Sequence, residues 1–288
     1  MAPAASGAPA AAPLERLRRA YRDPLAAVSW DSLDPGLPWL PEELVSLAGL
    51  PQWARLDEPA RRRLSQIELL AMVDLGLWLE SHLLRHLGRA APRAHRAGGA
   101  VYGAQLAELR EEAGHSLMFL ELLRRAGRPL PALPRPRLAA ALVRFLPEGS
   151  GLFWAAVLIG ETVATELNRR IKECRSLPAA VREISAIHFA DEVRHVAYAR
   201  LRAGAALAAG RHPLASLGLR RLARHFLAAC FYPGPALYRA AGLPDARALA
   251  RAARASPSRA ALATACLAPA RRFLAGRGIL LDAARPAA

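Results

Sequence analysis

A narrow stripe of metal-binding side chains on one predicted helix constrains this chain more than any other feature. His188, Glu192 and His195 are spaced so that, at about 100° per residue, all three fall within roughly 60° of one another around a helix. Glu112 and His115 repeat the Glu-x-x-His spacing about eighty residues earlier, again in a helical stretch. Two such helices, each paired with a helix that adds one more glutamate, form the ligand set of carboxylate-bridged dinuclear bundles. The chain is therefore predicted to be all-α and to contain a four-helix bundle.

The third helix of such a bundle should carry Glu161. This glutamate follows an uninterrupted apolar run and has apolar neighbours one turn away on both sides. A carboxylate in that setting needs a partner, because an unpaired buried charge is very costly. Glu166 lies about 140° further around the same helix, beside Asn168, Arg169 and Arg170, and is interpreted as part of a solvated face.

The fourth carboxylate should come from the first long helix, where Glu68, Asp74 and Glu80 compete. Glu80 is chosen because it closes the apolar segment 75–79.

Two breaks in the helical pattern predict two helical hairpins. The break at Ser176-Leu177-Pro178 lies at similar distances from Glu161 and from the histidine stripe, as an antiparallel pair requires. The break at Ala91-Pro92-Arg93 lies about a dozen residues after Glu80 and about twenty before Glu112, which fits less well. Between the hairpins, the Pro-rich segment 127–136 suits the single long crossover of a ferritin-like bundle.

Helical spacing of Ala, Leu and Arg dominates the chain, and alternating β-branched runs are nearly absent. It predicts helices over residues 57–88, 99–126, 149–175, 178–207 and 213–230. We expect a disordered start at 1–13 and a single domain over 14–288. The metal-binding bundle should occupy about 57–207, with additional N- and C-terminal helices. The accessory helices after 210 include amphipathic ones after 245 that cap the bundle or pair between subunits of a homodimer.

Composition excludes several classes of protein. The net charge of +16 comes from arginines spread over every helix, which argues against a nucleic-acid interface and is compatible with attraction of an anionic substrate. No apolar run approaches the ~20 residues of a membrane span. The three cysteines, Cys174, Cys230 and Cys266, are widely spaced and form no Cys-x-x-Cys motif. We therefore expect neither disulfides nor a zinc knuckle. We also expect a cytoplasmic location.

The two metal motifs resemble those of the p-aminobenzoate N-oxygenase family of di-iron oxygenases. The resemblance extends over roughly residues 60–205 and includes a histidine one turn before the last Glu-x-x-His, a position filled here by His188. Gly114 departs from the family pattern, which has a larger and often basic residue before the first metal histidine. The ligand set that the resemblance implies is Glu80, Glu112, His115, Glu161, His188, Glu192 and His195.

The resemblance also implies the reaction. Dioxygen would be used to oxidise the nitrogen of an aromatic amine to a hydroxylamine and further to a nitro compound, in a biosynthetic pathway. Carboxylate and imidazole ligands favour two iron ions, or manganese, and four carboxylates offset the charge of two Fe²⁺ ions. The sequence contains no sulfur-ligand motif and no Gly-rich phosphate loop, so the electrons should come from a separate reductase or ferredoxin.

The sequence also predicts which residues surround the ligands. Glu108, one turn before Glu112, and Asp191, beside Glu192, are expected to orient the ligand rings. The remaining histidines lie among arginines or in breaks and are predicted at the surface or around the site: His82, His86, His95, His212 and His225.

Two other functions remain open. A di-iron hydroxylase or desaturase of another small molecule or a carrier-bound substrate would keep the same metal site. A ferritin-like storage protein would need an assembled shell, which a basic and Pro-broken chain does not favour.

Overall fold

The computed structural model describes residues 22–131, 146, 150–207 and 212–281. Within these ranges every secondary-structure element is helical, which confirms the all-α prediction. The predicted disordered start at 1–13 lies outside the described residues. None of the described helices has a stretch both long and apolar enough to cross a membrane.

Four long helices form the central bundle. They are α3 Glu58–Ala97, α4 Gly99–Ala126, α5 Gly151–Glu173 and α6 Ala179–Ala206. Two short helices precede them, α1 Pro24–Ala27 and α2 Pro51–Ala54, with 3₁₀ turns at Trp30–Ser32 and Glu42–Leu44. The helices that follow are α7 Pro213–Phe231, α8 Pro235–Ala240, α9 Ala246–Ala255 and α10 Pro257–Ala275.

The first hairpin turns later than the sequence pattern predicts. The predicted break at residues 91–93 is wrong, because α3 continues through Pro92 to Ala97. A proline inside a helix removes one backbone hydrogen bond, and here that loss falls near the exposed end of a 40-residue helix. The turn is made by Gly98, whose φ of 113° is a backbone conformation available to glycine. Glu80 and Glu112 therefore lie about eighteen and fourteen residues from the turn, a better match than the predicted break gave.

The second hairpin turns where it was predicted. Helix α5 ends at Glu173, and α6 begins directly after Pro178. Within each hairpin the two long helices pack along each other, and α7 and α10 pack against α5. The predicted crossover at 127–136 lies partly outside the described residues, so the connection between the hairpins is not described.

A buried arginine joins the N-terminal segment to the bundle and to the C-terminal helices. Arg259 of α10 donates to the carbonyl oxygens of Leu44 (2.6 Å) and Phe231 (2.9 Å). Its Nη2 lies 3.8 Å from the Glu68 carboxylate, which also accepts a 2.8 Å bond from the backbone N–H of Ser46. Glu68, one of the three carboxylates that competed for the fourth ligand position, therefore has a structural partner of its own.

Candidate metal centre

The four bundle helices bring the predicted donors to one buried place. Glu80, His115, His188 and Glu192 each offer a donor atom, and these atoms all lie within 4.8 Å of one another. Glu112, Glu192 and His195 form a second group by the same measure. Glu192 belongs to both groups, as expected of a carboxylate that bridges two metal ions.

Each of the three histidines turns one ring nitrogen towards the carboxylates. His188 Nε2 lies 2.8 Å from Oε1 of Glu192. His115 Nδ1 and His195 Nδ1 lie 3.2 Å and 3.0 Å from the two carboxylate oxygens of Glu112. The three imidazoles therefore converge on the same pair of glutamates.

Glu161 lies beside these groups but belongs to neither. Burial raises its pKa well above the ordinary value, and the nearby negative charge of Glu192 raises it further. Burial and the Glu112 carboxylate raise the pKa of Glu80 in the same way. The crowding of like charges therefore favours the protonated forms of these two carboxyls when no cation lies between them.

The pKa values of Glu112, Glu192 and His115 are instead shifted in favour of the charged form of each group. Burial opposes ionisation of Glu112 and Glu192, but facing histidines outweigh it and lower both pKa values. Burial likewise opposes protonation of His115, yet hydrogen bonds with Asp191 and Glu112 raise its pKa to about 9. These shifts show that the crowded carboxylates need positive charge nearby, which bound protons or divalent cations can both supply.

Several of the donor atoms are buried without a hydrogen bond of good geometry, as expected of atoms that bind metal ions. Among the described residues, four buried atoms of this cluster make no hydrogen bond of good geometry, although Glu112 Oε1 and Glu192 Oε1 each lie within 3.0 Å of a histidine nitrogen: Glu112 Oε1, both carboxylate oxygens of Glu192, and His195 Nδ1. Buried polar atoms are nearly always paired, so such a concentration needs an explanation. Oxygen and imidazole donors around a shared carboxylate match the preference of iron and manganese. The residues present therefore fit a dinuclear metal site.

Outer carboxylates fix two of the rings. Asp191 accepts a 3.0 Å hydrogen bond from Nε2 of His115, and Glu111 accepts one of 3.1 Å from Nε2 of His195. The guanidinium of Arg194 holds both carboxylates, with Nη2 2.9 Å from Glu111 and 2.5 Å from Asp191. If a metal ion replaces the proton on Nδ1, the proton kept on Nε2 would leave the Nδ1 lone pair directed at the centre.

Sequence reasoning anticipated Asp191 here and missed the other outer residues. A signal for Glu111 was available, because an acidic residue precedes the motif glutamate in both Glu111-Glu112 and Asp191-Glu192. Arg194 precedes His195, whereas Gly114 stands at the equivalent position before His115, and this one arginine contacts both carboxylates.

The prediction of a solvated face at Asn168 is wrong for that residue. Its side-chain nitrogen lies 2.8 Å from Nδ1 of His188, on the side of the ring away from Glu192. Asn168 is therefore placed to orient this ring. Glu166, from the same predicted face, pairs with Arg169 at 3.0 Å and stays partly solvated.

A polar cavity of about 160 Å³ lies on the side of the bundle that carries Glu108. Burial raises the pKa of Glu108 to about 7. His86, which lines the same cavity, is buried and stacks on Phe153 at 3.4 Å, so it is not a surface residue. Glu108 therefore lies near the ligands, as predicted, but faces this cavity as well.

Two adjoining cavities with mostly apolar walls lie on the side of Glu80, Glu161 and His188. The first, of about 110 Å³, is lined by these three residues and by apolar side chains of α3, α5 and α7. The second, of about 90 Å³, shares Gly76 and Phe226 with it and extends between α3, α4 and α6. The predicted metal ligands therefore form one wall of an apolar chamber.

The arrangement of the metal-binding residues is accompanied by a match to a known protein family. The family model described as p-aminobenzoate N-oxygenase AurF matches residues 10–278. The chain belongs to the AurF family. AurF proteins are helical di-iron oxygenases with a ferritin-like fold, which confirms the fold predicted from the two motifs.

Curated relatives add no function of their own. Uncharacterized proteins of Mycobacterium bovis and of two strains of Mycobacterium tuberculosis are 31% identical to the chain over 148 residues. The match covers 49% of this chain and 43% of each relative, so the chain spans less than half the length of these proteins.

Proposed function

We propose that the protein is a di-iron N-oxygenase that oxidises the nitrogen of an aromatic amine. Glu80, Glu112, His115, Glu161, His188, Glu192 and His195 would hold the two irons. The observation that carries the proposal is the apolar chamber whose wall includes Glu80, Glu161 and His188, next to donors that share Glu192. Membership of the AurF family supports the same reaction class.

The size and lining of the chamber support a compact aromatic substrate. An apolar cavity of about 150 Å³ is enough to hold a benzene ring, and the two adjoining cavities here measure about 110 and 90 Å³. Their walls are mainly aliphatic, and their aromatic contacts are Phe119, Phe226, Trp78 and Phe153. Such walls exclude water and favour a neutral arylamine over an ammonium ion.

Each polar group of the site has a defined task in this proposal. Two reduced irons, when bound, would supply electrons to dioxygen, and a separate reductase or ferredoxin would return electrons to them. Asp191 and Glu111 accept hydrogen bonds from the Nε2–H groups of His115 and His195, which holds both rings with Nδ1 towards the carboxylates of the centre. Asn168 would do the same for His188 with its amide oxygen turned to accept the Nδ1 proton.

The test is aerobic turnover of the iron-loaded protein. Purified chain, reconstituted with iron and reduced, should bind about two irons per chain. With a chemical reductant, it should convert aminobenzoates to hydroxylamino or nitro products that mass spectrometry detects. One zinc per chain and no reaction of the reduced protein with dioxygen would contradict the enzyme proposal.

A second candidate function follows from the aliphatic character of the chamber. Leu69, Leu79, Val163, Leu167 and Ile184 would also suit an alkyl chain, as in a hydroxylase or desaturase. Product analysis after incubation with a short-chain fatty acid or its thioester separates the two. Hydroxylated or unsaturated products, with aminobenzoates left unchanged, would favour this candidate.

A further inference from the structure

A glycine joins the two cavities of the apolar chamber. Gly76 of α3 lines both the first cavity, of about 110 Å³, and the second, of about 90 Å³. It lies one helical turn before Glu80 and on the same side of α3, because residues four apart share a helix face. A Cβ atom at this position would lie 3.2 Å from Cε2 of the Phe119 ring, which is closer than ordinary van der Waals contact. Glycine therefore keeps open a passage that a larger side chain would narrow.

The chamber is longer than a single aromatic ring. Along α3 its wall extends from Glu80 at the metal centre, past Gly76, to Leu69 in the second cavity. At about 1.5 Å per residue, Leu69 lies about 16 Å from Glu80 along the helix axis. A substrate with its amine at the metal centre would place its ring near the level of Gly76. A group on the ring opposite the amine would then lie in the second cavity.

The second cavity offers no cation to such a group. Among the described residues, no lysine or arginine lines either cavity of the chamber. The side chains with oxygen or nitrogen that line the second cavity are Asn168, Ser185 and His188, and Asn168 lies 2.8 Å from the ring of His188. A carboxylate buried there would lose its hydration without gaining a partner of opposite charge, which is very costly. The second cavity therefore favours an uncharged apolar group.

Arginines line the next cavity outward. This third cavity, of about 270 Å³, shares Met72 and Leu75 with the second and is lined by Arg254 and Arg259. Arg259 is already held by Glu68 and by two backbone carbonyl oxygens. A carboxylate bonded directly to the aromatic ring would lie in the second cavity and would not reach these arginines.

We propose that the substrate is an arylamine that carries an uncharged apolar group opposite its amine, and that Gly76 leaves room for this group. The amine would lie in the first cavity beside Glu161 and His188, and the apolar group would lie in the second. A simple aminobenzoate would be a slow substrate, because its carboxylate would enter the apolar second cavity. The reaction in this inference rests on the proposed oxidation of amines, whereas the fit of the ligand to the chamber does not.

Ligand binding without turnover tests the fit. The iron-loaded, oxidised protein is titrated with aniline and with 4-butylaniline in a calorimeter, with no reductant present. The wild type should bind 4-butylaniline about 100-fold more tightly than aniline, because the alkyl chain moves from water into the second cavity. In Gly76→Val this advantage should fall to about tenfold or less, because valine narrows the passage beside Phe119.

A second variant tests the far end of the chamber. Leu69 lines the second cavity and not the first, so Leu69→Phe should weaken the binding of 4-butylaniline and leave that of aniline unchanged. The matched control is Gly88→Val, at an exposed position of α3 where an added Cβ meets nothing within 4 Å. This control should bind both probes as the wild type does. Circular dichroism checks that each variant keeps its helix content.

Turnover gives a further readout. With a chemical reductant and dioxygen, kcat/KM for methyl 4-aminobenzoate should exceed that for 4-aminobenzoate by about 100-fold, because the ester removes the charge. Equal values for these two compounds would overturn the proposal. Equal binding of aniline and 4-butylaniline to the wild type would also overturn it, as would an advantage of 4-butylaniline that survives in both chamber variants. If the probes bind as expected but no amine is oxidised, the proposed function fails and the proposed shape of the ligand is supported.

Discussion

At the scale of single residues, helical periodicity located the donors of the two Glu-x-x-His motifs but did not locate the side chains that orient them. His188, Glu192 and His195 share a stripe by spacing alone, and the structure brings them together with Glu80, Glu112 and His115. The bonds of Glu111 and Asn168 cross between helices, so they depend on how the helices pack and not on spacing within one helix. Whether the seven predicted residues bind metal stays a prediction.

Glu192 should be needed for both metal ions, because it is the residue common to the two donor groups. Glu192→Gln removes one negative charge and one shared donor while keeping the volume. We expect the bound metal to fall from about two ions per chain to near none, measured by elemental analysis after reconstitution. Glu166→Gln is the matched control, because Glu166 pairs with Arg169 outside the site. Two ions retained in Glu192→Gln would mean that the ligands are assigned incorrectly.

Arg194→Lys should weaken metal binding without abolishing it. Lysine keeps the charge but lacks the planar group that reaches both Glu111 and Asp191. Loss of such outer contacts lowers metal affinity by about 10–100-fold. Competition with a chelator of known affinity measures the change, and Arg175→Lys at an exposed position serves as the control. Equal affinities in the two variants would show that Arg194 does not support the ligands.

At the scale of helices, the spacing of hydrophobic residues predicted the position of each long helix. The proline at position 92 led to a wrong prediction for the end of α3. Pro92 suggested a break, but α3 stays helical through it, His95 beyond it packs against Tyr102 of α4, and the turn is made at Gly98. The break predicted at Pro178 is confirmed. Pro178 stands at the start of α6, where a backbone N–H would have no partner within the helix, so its absence does not reduce stability. Proline alone does not distinguish these two cases in sequence.

Gly98→Ala should destabilise the first hairpin. A side chain at φ 113° and ψ 160° is strained, at a cost of about 1–3 kcal/mol. The neighbouring Gly99→Ala should be neutral or stabilising by about 0.5–1 kcal/mol, because Gly99 begins α4 and a methyl group there meets nothing within 4 Å. Urea unfolding of the metal-free variants measures both effects. Equal stabilities of the two variants would show that the turn conformation is not what glycine provides.

At the scale of the whole molecule, the sequence predicted the bundle and left the attachment of the flanking segments open. The N-terminal segment and the C-terminal helices are joined through Arg259, whose three partners come from distant parts of the chain. Nothing near Arg259 in sequence distinguishes it from the many exposed arginines, so only the packed structure reveals its role.

Arg259→Leu should destabilise the whole fold. It leaves two buried carbonyls and the Glu68 carboxylate without their cation, and breaking a buried pair in this way costs about 3–5 kcal/mol. Arg251→Leu, at an exposed position of α9, should change stability by about 0.5 kcal/mol or less. Thermal and urea unfolding followed by circular dichroism would compare them. A small effect in Arg259→Leu would mean that the flanking segments are held mainly by apolar contacts.

The sharing of Arg194 between two helices makes the halves of the centre thermodynamically dependent on each other. Glu111 and Asp191 lie on different helices and accept hydrogen bonds from different histidines, yet both are bound by the guanidinium of Arg194. Gly114, at the position equivalent to Arg194 in the first motif, has no side chain that could bind either carboxylate. A double-mutant cycle across these two carboxylates should therefore be strongly non-additive. For the same reason, loading of the first ion should change the affinity for the second, so metal uptake should follow a cooperative isotherm and not two independent steps.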